Sequence, residues 1–160
     1  MDIAHTYEVA IEWQGNRGTG TSDYRSYGRQ HLVTALGKPA IEGSADRAFR
    51  GDTDRWNPEE LLLAALSQCH LLSYLHVAAS HGLVVTGYTD AATGVMQQTA
   101  NGRGHFVSAT LHPVVTIAGG DDPERQRALA QLLHEEAGEK CFIAASVNFP
   151  VLHEPAVTLV

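Results

Sequence analysis

Residues 56–81 read WNPEELLLAALSQCHLLSYLHVAASH, and this stretch decides the fold. Asn57 suits a helix N-cap, because its side-chain oxygen can accept from the free N–H groups of the first turn. Pro58 fits the first helical position, where its missing N–H costs nothing. Glu59 and Glu60 then place negative charge at the positive end of the helix dipole. No Gly or Pro follows until Gly82, a natural C-terminal stop. The pattern predicts a helix over 58–81, roughly 36 Å long.

The faces of this helix say where it sits. At 100° per residue, Leu62, Ala65, Leu66, Leu72, Ser73 and His76 cluster around Cys69. The opposite side carries Leu63, Leu71, Tyr74, Leu75 and Ala78 and is also apolar. A surface helix would show a polar back. This one is expected to be buried on most sides, by its own sheet and by a second subunit. Ser67, Gln68, His70, Ser73 and His76 make it too polar for a membrane span.

Composition narrows the class. The 160 residues are 44% hydrophobic and 18% charged, which suits one folded domain over residues 1–160 and argues against disorder. A net charge of -7 gives no attraction for nucleic acid or an anionic membrane. The opening MDIAHTYEVAIEW reads as a strand rather than a signal peptide, so a cytoplasmic protein is expected. Two cysteines in a reducing compartment are not a structural disulfide framework.

Outward from the helix the pattern is β on both sides. His5 to Trp13 alternates as a first strand, followed by a turn over Gln14–Gly20. Thr21 to Tyr27 reads as an irregular strand, Arg29 to Leu36 as a third β piece, and Pro39 to Glu42 as a short extended one. Gly43 to Arg55 is a loop leading into the helix. Beyond Gly82, Leu83 to Gln97 and His105 to Ala118 flank the turn Asn101-Gly102-Arg103-Gly104 and predict one long antiparallel hairpin. Asp122 and Pro123 open a second helix running to about Glu136, with Leu129, Leu132, Leu133 and Ala137 on its apolar face. Cys141 to Val147 reads as a short helical piece and Pro155 to Val160 as a closing strand. The order defines an α+β domain.

Three features bear on chemistry. Cys69 and Cys141 are either small apolar packing groups or a reactive pair. Gln68, His70 and Ser73 make the surroundings of Cys69 unusually polar, and a reactive thiol needs such donors or a cation. Cys141 follows Lys140 at a possible helix start, where the dipole would favour its thiolate. Arg17 sits in a Gly-rich turn, which by itself is an ordinary solvated position. Glu59 by itself reads as dipole compensation. His70 reads best as a core or interface histidine. The nine histidines include no HxxxH pair, although His5, His105 and His112 lie in strand-like segments that could meet in a sheet. No GxGxxG, P-loop or GxSxG motif is present, which removes support for nucleotide binding and serine hydrolysis.

Asn57-Pro58-Glu59-Glu60-Leu61 followed by Cys69 resembles the NPE(Q/E)L…C helix of the OsmC/Ohr family, the osmotically inducible and organic hydroperoxide resistance proteins. Cys141 in a late helical segment matches the family's second cysteine, and Arg17 matches an arginine of the first Gly-rich turn. The resemblance implies an OsmC-like fold, with antiparallel sheets around a long buried central helix in an intertwined homodimer. It implies a thiol-dependent peroxidase acting on organic hydroperoxides without metal or prosthetic group. Cys69 would be the peroxidatic thiol and Cys141 the resolving thiol, with Arg17 and Glu59 in support and an external dithiol as reductant. Arg25 and Arg29 are the alternative cations. A redox sensor or small-ligand binder on the same fold is the competing expectation. Glu59 and Cys69 stand ten residues apart, hence about 15 Å along one helix, so Glu59 would serve the site only from a second subunit.

Overall fold

A computed structural model describes residues 3–160. The chain divides into two compact units, one running up to Leu62 and the other Leu63–Val160.

The first unit is built on a small antiparallel sheet in the order β1 (Ala10–Trp13), β2 (His31–Thr34), β3 (Ile41–Gly43). Trp13 pairs with His31, and His31 in turn with Gly43. Gly43 leaves room for the His31 ring, since a Cβ there would stand 2.2 Å from His31 Nε2 and force the ring to move. The first strand is shorter than its alternation suggests. Thr21 to Tyr27 forms turns instead of a strand. The cause is side-chain competition for the backbone: Asp23 Oδ1 accepts from Arg25 N (2.8 Å), and Ser26 Oγ donates to Asp23 O (2.7 Å). The loop before the helix folds around Asp52, whose Oδ2 accepts from Gln30 Nε2 (2.7 Å) and Ser44 Oγ (2.8 Å).

Helix α1 (Pro58–Ser80) begins with a reciprocal cap. Glu60 N donates to Asn57 Oδ1 (2.8 Å), and Asn57 N donates to Glu60 Oε2 (3.3 Å). At the far end Gly82 takes φ 70°, and Leu83 N reaches back to Ala78 O (2.9 Å).

The second unit contains β4 (Val85–Thr89), β5 (Thr93–Gln98), β6 (Gly104–Leu111), β7 (Val114–Ile117), α2 (Pro123–Glu139), β8 (Val151–His153) and β9 (Ala156–Leu159). Its sheets run β4-β7-β9 and β5-β6-β8. The long hairpin is therefore divided between two sheets. Pro113 has no N–H to continue the ladder, and Asp90 takes its neighbours' donors: His112 N at 2.7 Å and Ser67 Oγ at 2.5 Å. The sheets are also mixed rather than wholly antiparallel, because β8 runs parallel to β6 and β9 parallel to β7. The expected helical piece over Cys141 to Val147 reduces to a single 3-10 turn, Ala144–Ser146.

One core cluster joins Tyr74, Val77 and Ala78 of α1 to Val115, Ile117, Ala130, Leu133 and Ala137. A second joins Leu66 to Ala109 and Leu111. Tyr74 Oη is satisfied by Ala130 O at 3.0 Å. Within one chain α1 buries a single face, Leu66, His70, Tyr74, Val77 and Ala78. Leu72 (63% exposed) and Leu75 (38% exposed) point away from it, so the burial expected on most sides is not supplied by this chain alone.

Candidate functional site

The second unit brings the two cysteines together. Cys69 is half-buried on α1, one residue before the buried His70. α2 ends at Glu139, Lys140 caps it, and Cys141 N donates to Gly138 O (3.2 Å). Ser73 Oγ donates to Lys140 O (3.4 Å) and ties α1 to the residue preceding the second thiol. Cys141 is 1% exposed, and both thiols are free. Burial pushes the Cys141 thiol up to about 11, and its contact with the Cys69 thiol pushes the same way. A backbone donor opposes this, since Ala144 N lies 3.4 Å from Cys141 Sγ. The dipole expected to favour a Cys141 thiolate is outweighed, because one 3-10 turn offers little against desolvation. The arrangement is asymmetric: one thiol is partly reachable, and the other is sealed, protonated at neutral pH and in contact with the first.

Arg17 and Glu59 belong to the first unit. Arg17 is exposed on a turn in which Asn16 Oδ1 accepts from Gly18 N (2.9 Å) and Gly20 N (3.1 Å). Gly18 and Gly20 adopt positive φ there. Glu59 lies in the first turn of α1, half-buried, and its Oε2 is buried without a hydrogen-bond partner. It lines a cavity of about 310 Å³ shared with Arg29, His31, Ser44, Asp46 and Phe49. Arg29 is held by its neighbours. Its guanidinium carbon lies 4.4 Å from the Tyr24 ring centroid and 4.1 Å from that of Tyr27. Nη1 donates to Tyr27 O (2.6 Å) and Nη2 to Tyr24 O (2.9 Å). Arg25 is exposed.

A feature that sequence reading did not assemble is a stack of imidazoles in the second unit, two of them buried (His70 and His134) and one half-buried (His153). His70 from α1, His134 from α2 and His153 from β8 lie ring on ring, with centroids 5.3 Å (His70–His134) and 4.2 Å (His70–His153) apart. Tyr74 stacks on His134 at 4.1 Å. Burial foremost, then the neighbouring imidazoles, holds His70 down at about 3. Burial foremost, then His153, holds His134 at about 4, opposed by Asp90. Among the described residues no group of three or more His, Cys, Asp or Glu has the geometry of a metal site. His134 and His153 also line a cleft of about 600 Å³ with Gln131, Leu132, Glu135 and Leu152. Only the spacing of His70 from Cys69 was visible in advance. His134 and His153 come from elements whose pairing carries no local signal.

The fold defines a class: α+β proteins in which a long helix with a mid-helix thiol meets a second thiol following a later helix. The family model for OsmC-like proteins matches residues 51–154, and the chain belongs to that family. An OsmC-like protein of unknown function from Vibrio cholerae superposes with TM-score 0.82 at 29% identity, covering 95% of this chain and 99% of that one. An organic hydroperoxide resistance protein from Elizabethkingia anophelis shares the fold at TM-score 0.66 and 21% identity, covering 99% and 100%. The uncharacterized protein YmaD of Bacillus subtilis is 22% identical over 145 residues, which is 90% of this chain and 87% of that protein.

Proposed function

We propose that this chain is a thiol-dependent peroxidase that reduces organic hydroperoxides, with hydrogen peroxide as a further substrate. The observation that carries the reading is the contact between a half-buried Cys69 and a sealed Cys141. The Cys69 thiolate attacks the O–O bond and forms a new S–O bond. The peroxide leaves as an alkoxide, takes a proton and departs as an alcohol. Cys69 sulfur has then lost two electrons and stands as a sulfenic acid. Cys141 displaces its hydroxyl, giving a disulfide and water, and an external dithiol restores both thiols. The raised pKa keeps Cys141 a thiol while Cys69 meets the peroxide, and its proton leaves with the displaced hydroxyl as the water formed. No metal or prosthetic group takes part, and the reducing cytoplasm supplies the dithiol.

The working form is a homodimer. The exposed Leu72 and Leu75 support this, as does Glu59, whose place ten residues before Cys69 on α1 puts it about 15 Å from that thiol along the helix. Glu59 and a guanidinium of one copy serve the thiol of the other. The candidates for that guanidinium are Arg17, Arg25 and Arg29.

The test is consumption of cumene hydroperoxide with dithiothreitol as reductant. Turnover that disappears in Cys69→Ser, with a Cys69–Cys141 bridge seen by mass spectrometry after one equivalent of peroxide, is the expected result. Stoichiometric oxidation without turnover would identify a redox sensor instead.

A further inference from the structure

We infer that the cleft between α2 and β8 is a binding site for a small neutral molecule with an apolar body and one hydroxyl, a phenol or an alcohol, read by His134 and His153. The cleft lies wholly within the second unit, neither cysteine lines it, and the assignment does not rest on the peroxidase reading. Its volume of about 600 Å³ is in the range of small-molecule sites. Two of the residues that line it, one from each wall, carry a buried Nε2 with no hydrogen-bond partner among the described residues: His134, which is 2% exposed, and His153.

One proton lies between His70 Nε2 and His134 Nδ1. Whichever ring owns it, one buried N–H is left over. It stands on His134 Nε2 if His70 donates, and on His70 Nδ1 if His134 donates. Buried donors in folded proteins are nearly always answered, by the protein itself or by a bound molecule. Of these two rings, His134 lines the cleft and His70 does not. An acceptor that enters the cleft therefore selects the arrangement with the proton on His134 Nε2.

The walls set the rest of the ligand. Leu132 of α2 and Val151 and Leu152 of β8 call for an apolar body. Burial keeps the His134 ring neutral and also lowers the pKa of His153, where Asp90 opposes it, so no fixed positive charge awaits an anion. Glu135, an exposed carboxylate on the lining, repels one. An ion of either sign would be stripped of water against the leucines. A neutral hydroxyl both accepts and donates, so it answers an imidazole N–H and a bare imidazole nitrogen alike. Gln131 Nε2 donates to Pro155 O (3.2 Å) and Arg127 Nη1 to Val157 O (2.8 Å), which tie α2 to the strands, so the cleft is formed before a ligand arrives.

The experiment uses the full, reduced chain with 4-propylphenol as the probe, followed by calorimetry and by the nitrogen-15 resonances of the imidazoles. Saturable binding with Kd below about 1 mM is expected, together with a shift of the His134 Nε2 resonance. 4-Propylanisole, the same body with its hydroxyl capped as a methyl ether, should bind about tenfold more weakly or worse, and 4-propylbenzoate not measurably. Leu152→Glu alters a wall residue that is 52% exposed, so the chain should still fold, and affinity for the phenol should fall at least about tenfold. Cys69→Ser should bind the phenol within about twofold of wild type. Absence of saturable binding would leave water alone to answer the two nitrogens and overturns the assignment. So do equal affinity for the ether, which would make the cleft blind to the hydroxyl, and loss of binding in Cys69→Ser, which would put the phenol at the thiol. The phenol is not consumed, so its binding is read whether or not the chain turns over peroxide.

Discussion

His70 Nε2 lies 3.0 Å from His134 Nδ1, so two helices of the second unit are joined through a pair of buried imidazoles. One ring donates and the other accepts, which requires the accepting ring to be neutral, and burial favours the neutral form of both. Their pKa values stand at about 3 and about 4, below the usual 6.5. The unfolded chain therefore binds more protons than the folded one below pH 6.5. The contribution of the stack is intact above that pH and is lost as pH falls toward 4 and 3. The melting temperature by circular dichroism should drop by about 5–10 °C between pH 7.5 and pH 5. His134→Gln should be less stable at pH 7.5 and show a shallower decline.

The core cluster at Leu66 sets a second expectation. Leu66, Ala109 and Leu111 are all fully buried. Leu66→Ala should cost about 2–5 kcal/mol in urea unfolding, by lost transfer energy and the cavity left behind.

The cap of α1 sets a third. Asn57 and Glu60 satisfy each other's backbone donors. Asn57→Ala should destabilise by about 1 kcal/mol, read by the same urea titration.

Leu72 gives an expectation of opposite character. It is 63% exposed in the single chain, so as a monomer the protein should tolerate Leu72→Asp with a change within about 0.5 kcal/mol. In the proposed homodimer the same substitution buries a charge. Light scattering after gel filtration should show a monomer for the variant and a dimer for the wild type.

Thiol reactivity supplies the fifth. Cys141 is 1% exposed with its pKa up at about 11, whereas Cys69 is partly open. Iodoacetamide at pH 8, followed by peptide mapping, should label Cys69 at least about tenfold faster than Cys141.

Local chemistry was legible in the sequence where it acts locally. Asn57 and Pro58 set the start of α1 where expected, and Gly82 its end within a residue. Asp122 caps α2 through Arg125 N at 3.1 Å, as its position beside Pro123 suggested. The turn at Asn101–Gly104 closes β5 on β6. Partnership between distant segments was not legible. Strand β8 is three residues long and its parallel pairing with β6 leaves no period to read. The split at Asp90 and Pro113 depends on a carboxylate reaching across to His112 N. At the candidate site, the meeting of Cys69 and Cys141 was expected only by resemblance. The clamp on Arg29 was hidden because Tyr24 and Tyr27 lie in a segment whose alternation suggested a strand, while side-chain hydrogen bonds bend it into turns.

The two parallel pairings dictate a timetable for folding. β5 and β6 are joined by a tight turn and can zip within about 1–10 μs. Val151 cannot meet Ala109, nor Val157 meet Val115, until the chain has crossed over by way of α2. Until that crossover closes, β6 and β7 each present a bare row of N–H and C=O groups to any passing strand. The newly made protein is thus most prone to clump during this interval, and a holdase chaperone that shields those rows would raise the yield of folded molecules.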